Sequence, residues 1–227
     1  MHFGNEKSLS IYEKKIIIYQ KKNWFSQVKS SSDFSLYKGD SIPISISGNP
    51  QFLWVITYIS ELYESVAQYG IENLPSDLID EVIHFEREGK LCVYLSILTY
   101  TLLMYHGIAN EREMKYVQGY YQHKTEATNW IARSLGDEHA GSHAWITIGK
   151  AVIDISIKQE EMFFRFDGYP VILGQVPPGL ILKGFSEPKK TANKFIEQIV
   201  KRRKLSFEEW VNEHNEQLEN ISKKQTL

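Results

Sequence analysis

Apolar positions recur at helical spacing through much of the first half of the chain and then at every second residue through its centre. Leu53, Ile56, Tyr63 and Val66 fall close to the 3.6-residue period of one helix face. Asn49-Pro50 before them supplies an N-cap and a first-turn proline, and Gly70 after them a stop. Ser76 opens a second helix expected to reach about Arg87. Gly89-Lys90 and Gly107 then bracket Leu91–His106, which is apolar on nearly every side and predicts a buried, central helix. Met114–Gln122, His143–Ile148 and Ala151–Ser156 read as strands, the last two joined by the two-residue turn Gly149-Lys150, and strand-like sequence continues to about Phe185. Two amphipathic helices, 189–203 and 206–222, close the chain, the second opening on the capping-box pattern Ser206-Phe-Glu-Glu209.

Ahead of Asn49 the pattern is harder to read. Ile11–Tyr19 fits a short strand or an amphipathic helix equally, and Ile42–Ser47 alternates like a strand. Helices, a central helix and then a run of strands predict an α+β fold rather than a doubly wound parallel sheet. No internal repeat or low-complexity linker divides the sequence, so one domain is expected over 1–227: an N-terminal segment 1–48, a core 49–185 and a C-terminal helical extension 186–227.

Composition narrows the function. At 227 residues, 42% hydrophobic and 24% charged, the chain is long enough to bury a core without staples. A formal net charge of -2 argues against nucleic acid or an anionic membrane as partner. The cluster Lys201-Arg-Arg-Lys204 sits at a helix end, where cations suit the dipole, and reads as a solvated terminus. With one cysteine there is no internal disulfide and no zinc site with more than one thiolate. His84, His106, His123 and His139 show no metal-ligand spacing, and no cofactor is expected. The N-terminus lacks a secretory pattern and the longest apolar stretch is shorter than the ~20 residues of a membrane span, so a cytoplasmic protein is the expectation. A protein exported by a host-targeting secretion system would look the same.

The single cysteine lies where chemistry favours it. A free cysteine in an apolar helix is ordinarily an inert, buried side chain. Cys92, however, falls in the first turn of the central helix, where unpaired N–H groups and the positive end of the dipole favour thiolate. The hairpin adds a base. With Gly149-Lys150 as turn residues, Ile148 pairs with Ala151, Trp145 with Asp154 and His143 with Ser156. His143, Trp145 and Asp154 then share one face, and His143 and Asp154 are diagonal neighbours within hydrogen-bonding reach. Asp154 would fix the tautomer of His143 and leave the other ring nitrogen for a thiol. A register shift of one residue would turn Asp154 away.

These residues, in this order, resemble the transglutaminase-like superfamily. Gly89-Lys-Leu-Cys92 and the apolar helix ending His106-Gly107-Ile108 are similar to its nucleophile helix, and Val117-Gln-Gly-Tyr120 to its next strand. His143-Ala-Trp145 is similar to its histidine motif and Val152-Ile-Asp154 to its acidic strand. The match covers about residues 85–158. It departs from the family at Gly107-Ile-Ala-Asn-Glu-Arg112, which lacks the usual proline, and at an apparent insertion, 123–142, containing Trp130, Arg133, His139 and Gly141. The resemblance implies a papain-like core, with the cysteine helix packed on an antiparallel sheet carrying His143 and Asp154. It also implies a cysteine-dependent acyl-transfer enzyme acting at amide bonds of a peptide, protein or small molecule. Peptidase, amidase, deamidase and transglutaminase chemistry share this triad and stay open. The backbone N–H of Cys92 is one oxyanion donor, with Gln51 or Trp54 as weaker candidates for a second. The alternative is a catalytically silent scaffold that binds a protein partner.

Overall fold

In a computed structural model, residues 34–67, 75–123, 141–157 and 171–225 are described; all belong to the second of two units into which the chain divides, 1–33 and 34–227. The segment Ile11–Tyr19 and most of the stretch 123–142 lie outside the described residues. The architecture is a mixed α and antiparallel β fold. Its helices are α1 (Ile44–Ser47), α2 (Pro50–Ala67), α3 (Ser76–Glu88), α4 (Leu91–Tyr105), α5 (Lys189–Arg203) and α6 (Phe207–Gln225). Its strands are β1 (Ser35–Tyr37), β2 (Met114–His123), β3 (Gly141–Ile148), β4 (Ala151–Asp154), β5 (Ile172–Gly174) and β6 (Leu180–Ser186).

Helix ends follow the local chemistry. Asn49 Oδ1 accepts the Gln51 N–H at 2.9 Å, with Pro50 at the first helical position of α2. Gly89 closes α3 in the left-handed region at φ +61°, and α4 begins two residues later. At its far end α4 closes with Gly107 at φ +64°, the Ile108 N–H returning to Leu103 O at 2.9 Å and the Gly107 N–H to Met104 O. Every residue of α4 from Leu91 to Leu103 is buried, because α2 and α3 cover one side and β2 and β3 the other. Ile42–Ser47 departs from the expected strand. Ile44–Ser47 is a single helical turn after Pro43, only Ile46 is buried, and Ile44 is exposed, so the alternation there records no sheet face.

The sheet order is β1-β6-β2-β3-β4-β5, with every neighbouring pair antiparallel. It curls until its first and last strands meet: Gly39 bridges Gln175, and the Val176 N–H donates to Lys38 O at 2.9 Å. Gly39 must be glycine there, since its φ is +73° and a Cβ would stand 2.1 Å from Gly174 O. The hairpin register is the one expected, Ile148 opposite Ala151 and Ile146 opposite Ile153.

The C-terminal helices pack on other helices more than on the sheet. α6 lies on α2, where Tyr58 Oη and His214 Nδ1 are 2.6 Å apart, and α5 reaches α3, where Phe195 meets Phe85. Arg203 turns inward from the basic cluster, pairing Glu81 at 2.7 Å and Glu213 at 2.8 Å, while Trp210 Nε1 donates to the other Glu81 oxygen. Among the described residues no helix is long and apolar enough to cross a membrane.

Candidate active site

His143 and Asp154 meet as the hairpin register requires. His143 Nε2 and Asp154 Oδ2 are 2.7 Å apart, with both side chains wholly removed from solvent. A buried carboxylate needs its lone pairs satisfied. Asp154 Oδ1 accepts the Ser156 N–H at 3.0 Å and the Ser156 hydroxyl at 3.2 Å. The second contact corrects the expected end of the strand. Ser156 does not pair with His143; β4 stops at Asp154, because Ser156 folds back onto that carboxylate. An Asp-x-Ser spacing was the available signal, since such side chains bond backbone two residues on.

The indole of Trp145 stacks beside His143 at 6.1 Å between ring centroids, and Tyr37 meets it edge-on at 5.4 Å. Across the sheet, a Cβ on Gly184 would lie 2.8 Å from Trp145 Cη2, so glycine leaves the space that the indole fills. Trp145 Nε1 is buried without an acceptor among the described residues. Tyr121 is buried edge-on to the His143 ring.

Cys92 occupies the second position of α4 and is 5% exposed. Lys90, before the helix, provides no side-chain cap and pairs with Glu88 at 2.6 Å. One turn on, Ser96 donates its hydroxyl to Ala144 O at 3.0 Å. Residues four apart share a helix face. The Cys92 face of α4 is therefore docked on β3 at the residue next to His143. Among the described residues no hydrogen bond joins the Cys92 thiol to His143. Ser96 escaped the sequence reading, as did the buried pair on β2 in which Gln118 Nε2 donates to Tyr116 Oη at 2.7 Å.

Gln51 and Trp54 are not at this end of the molecule. They line a crevice of about 220 Å³ with His106, Asn215 and Glu219, at the opposite end of α4 from Cys92. Fourteen residues of helix at ~1.5 Å each separate Cys92 from His106 by about 21 Å, so neither side chain serves an oxyanion there. His106 Nε2 lies 2.9 Å from Asn215 Oδ1 across that crevice. No cluster of three potential metal ligands occurs among the described residues.

Comparison with known proteins finds no matching family model, no matching curated protein and no matching solved structure.

Proposed function

We propose that this chain is a cysteine-dependent acyl-transfer enzyme with a transglutaminase-like, papain-related core, acting at amide bonds through Cys92, His143 and Asp154. The observation that carries the reading is the buried His143–Asp154 hydrogen bond, on the strand where the helix opened by the sole cysteine docks. A paired histidine and carboxylate sealed from water hold an imidazole in one orientation and tautomer. With Nε2 committed to Asp154, Nδ1 is the nitrogen that takes the thiol proton.

In the proposed cycle the Cys92 thiolate attacks the amide carbon, and the oxyanion is met by the unpaired N–H groups of the helix start. The C–N bond breaks as His143 returns the proton to the leaving amine, giving a thioester. Water or a second amine, deprotonated by His143, then attacks the thioester; the C–S bond breaks and the thiol recovers its proton. The acceptor decides between hydrolysis and transfer.

A second reading draws on the burial of all three side chains and the absence of a Cys92–His143 hydrogen bond: a silent scaffold of the same type that binds a protein partner. Alkylation separates the two, because the protein has a single thiol. Iodoacetamide rates between about pH 4 and 10 should give wild type an apparent pKa well below the ~8.5 of a free thiol, lost in His143→Ala. A slow reaction rising only near pH 8–9, or one requiring unfolding, would exclude the enzyme and leave the scaffold.

A further inference from the structure

Ser96, Thr99 and Thr101 are buried hydroxyls on α4, and the first behaves unlike the other two. Thr99 and Thr101 donate to Leu95 O and Ile97 O one turn back on their own helix, at 2.7 and 2.8 Å, as helical hydroxyls commonly do. Ser96 forgoes the carbonyl one turn back, that of Cys92, and crosses to Ala144 O on β3. The reason lies in the sheet. Alternate residues of an antiparallel strand turn their N–H and C=O toward opposite neighbours. The Gly149 N–H donates to Glu113 O just before β2, and the two-residue turn pairs Ile148 with Ala151, so the even-numbered residues of β3 face β4. Continued in register from Ile146 opposite Ile153, β4 would set Ile155 against Ala144. It stops at Asp154, where the Ser156 N–H and hydroxyl turn onto the carboxylate. The buried Ala144 carbonyl is left without a ladder partner and needs one. The Ser96 hydroxyl supplies it at 3.0 Å.

We propose that Ser96 is a positioning residue for the acyl-transfer site: it seats the cysteine helix at the stretch of β3 that β4 leaves uncovered, and so fixes the Cys92 thiol relative to His143. The inference rests on Cys92 being the nucleophile. Cys92 lies one helical turn, ~5.4 Å, before Ser96, and His143 is the chain neighbour of Ala144. One hydrogen bond between buried groups therefore ties the element of the thiol to the element of the imidazole. The turn of Ser156 onto Asp154, which steadies the partner of His143, also vacates the place that Ser96 fills. A single break in the sheet thus orients the base and receives the helix. Proton transfer between thiol and imidazole needs them within hydrogen-bond reach, so a helix seated loosely loses it. The other buried titratable groups on elements packed against α4 are Tyr58 on α2, Glu81 on α3 and Tyr116 on β2, and the Lys90–Glu88 pair stands before the helix. A change at Ser96 removes none of their partners, since these are His214, Arg203 with Trp210, Gln118 and one another.

The test is the iodoacetamide pH profile of the full chain as wild type, Ser96→Ala and Thr101→Ala, each alone and with His143→Ala, with thermal melts in parallel. Ser96→Ala is expected to raise the apparent pKa of the thiol by about half a unit to one unit, a ~3- to 10-fold loss of thiolate at pH values below it. In the His143→Ala background it should add nothing, because no imidazole remains to be positioned against. Thr101→Ala removes a buried hydroxyl bonded only within α4, and should lower Tm without moving the thiol pKa. A low wild-type pKa left unchanged in Ser96→Ala, or shifted equally with and without His143, overturns this inference while the nucleophile stands. A wild-type thiol titrating near ~8.5 removes the nucleophile and this inference with it. Should Ser96→Ala fail to fold, Ser96→Asn decides, since its amide still donates but holds the helix farther off: a pKa above wild type supports the role and the wild-type value overturns it.

Discussion

Gly184 and Trp145 show how tightly single residues set this sheet. The space a methyl group would need on Gly184 is held by Trp145 Cη2 and by Gln118 O, 2.8 and 2.6 Å away, and backbone cannot give as a flexible side chain can. Gly184→Ala should cost about 1–3 kcal/mol in urea unfolding, with loss of the tight indole packing visible in tryptophan fluorescence. Asp154→Ala should cost more. It strips a buried partner from His143 and from the Ser156 N–H, each unsatisfied group costing about 1–3 kcal/mol. Under the proposed function it also raises the thiol pKa, which the alkylation profile reads. The His143–Asp154 meeting was legible in the sequence because a two-residue Gly-Lys turn fixes register, and register fixes which side chains share a face. Ser156 and Ser96 were not legible to the same degree, since a hydroxyl that bonds a backbone oxygen or a nearby carboxylate leaves no periodic trace.

At the scale of elements, boundaries were readable wherever a cap marked them. The box at the start of α6 is reciprocal: the Ser206 N–H donates to Glu209 at 2.7 Å and the Glu209 N–H to Ser206 Oγ at 3.2 Å. Ser206→Ala should lower stability by about 1 kcal/mol in denaturant. Partners distant in sequence stayed hidden. Arg203 was indistinguishable from its solvated neighbours in the basic cluster, because the Glu81 that draws it inward lies on a helix far upstream. That pair holds α5 and α6 onto α3. Arg203→Met strips the buried Glu81 carboxylate of its guanidinium partner and should cost about 3–5 kcal/mol, most of it recovered when Glu81→Leu is added. A double-mutant cycle in urea measures the difference. Ile42–Ser47 misled for the opposite reason: an apolar/polar alternation means a strand only where one face is buried.

For the molecule as a whole, His214 sets a pH dependence. Burial, with the charge of Arg203 adding to it, pushes this histidine down to about 3 from an ordinary 6.5, and its Nδ1 meets the Tyr58 hydroxyl. The folded state therefore resists a proton that the unfolded chain accepts. Stability should be insensitive to this group above about pH 6.5 and fall by up to ~1.4 kcal/mol per pH unit below it, toward about pH 3. His214→Gln, which still offers Tyr58 a partner, should flatten that slope in urea titrations at successive pH values.

The ring closure of the sheet also bears on the order in which the protein assembles. β2, β3 and β4 are successive strands, and the turn at Gly149-Lys150 brings His143 to Asp154 with little chain to close. β1, by contrast, pairs with β6, Ser35 against Gly184, across most of the chain, and the Gly39–Gln175 bridge waits on both. Loop-closure entropy grows with the length enclosed, so the hairpin is expected in the folding transition state and the seam of the ring after it. Ile146→Val should mainly slow refolding, and Leu182→Ala mainly speed unfolding. Stopped-flow chevrons would show equal partition if the ring instead formed in one step. The His143–Asp154 pair would then be in place before the two ends of the sheet meet.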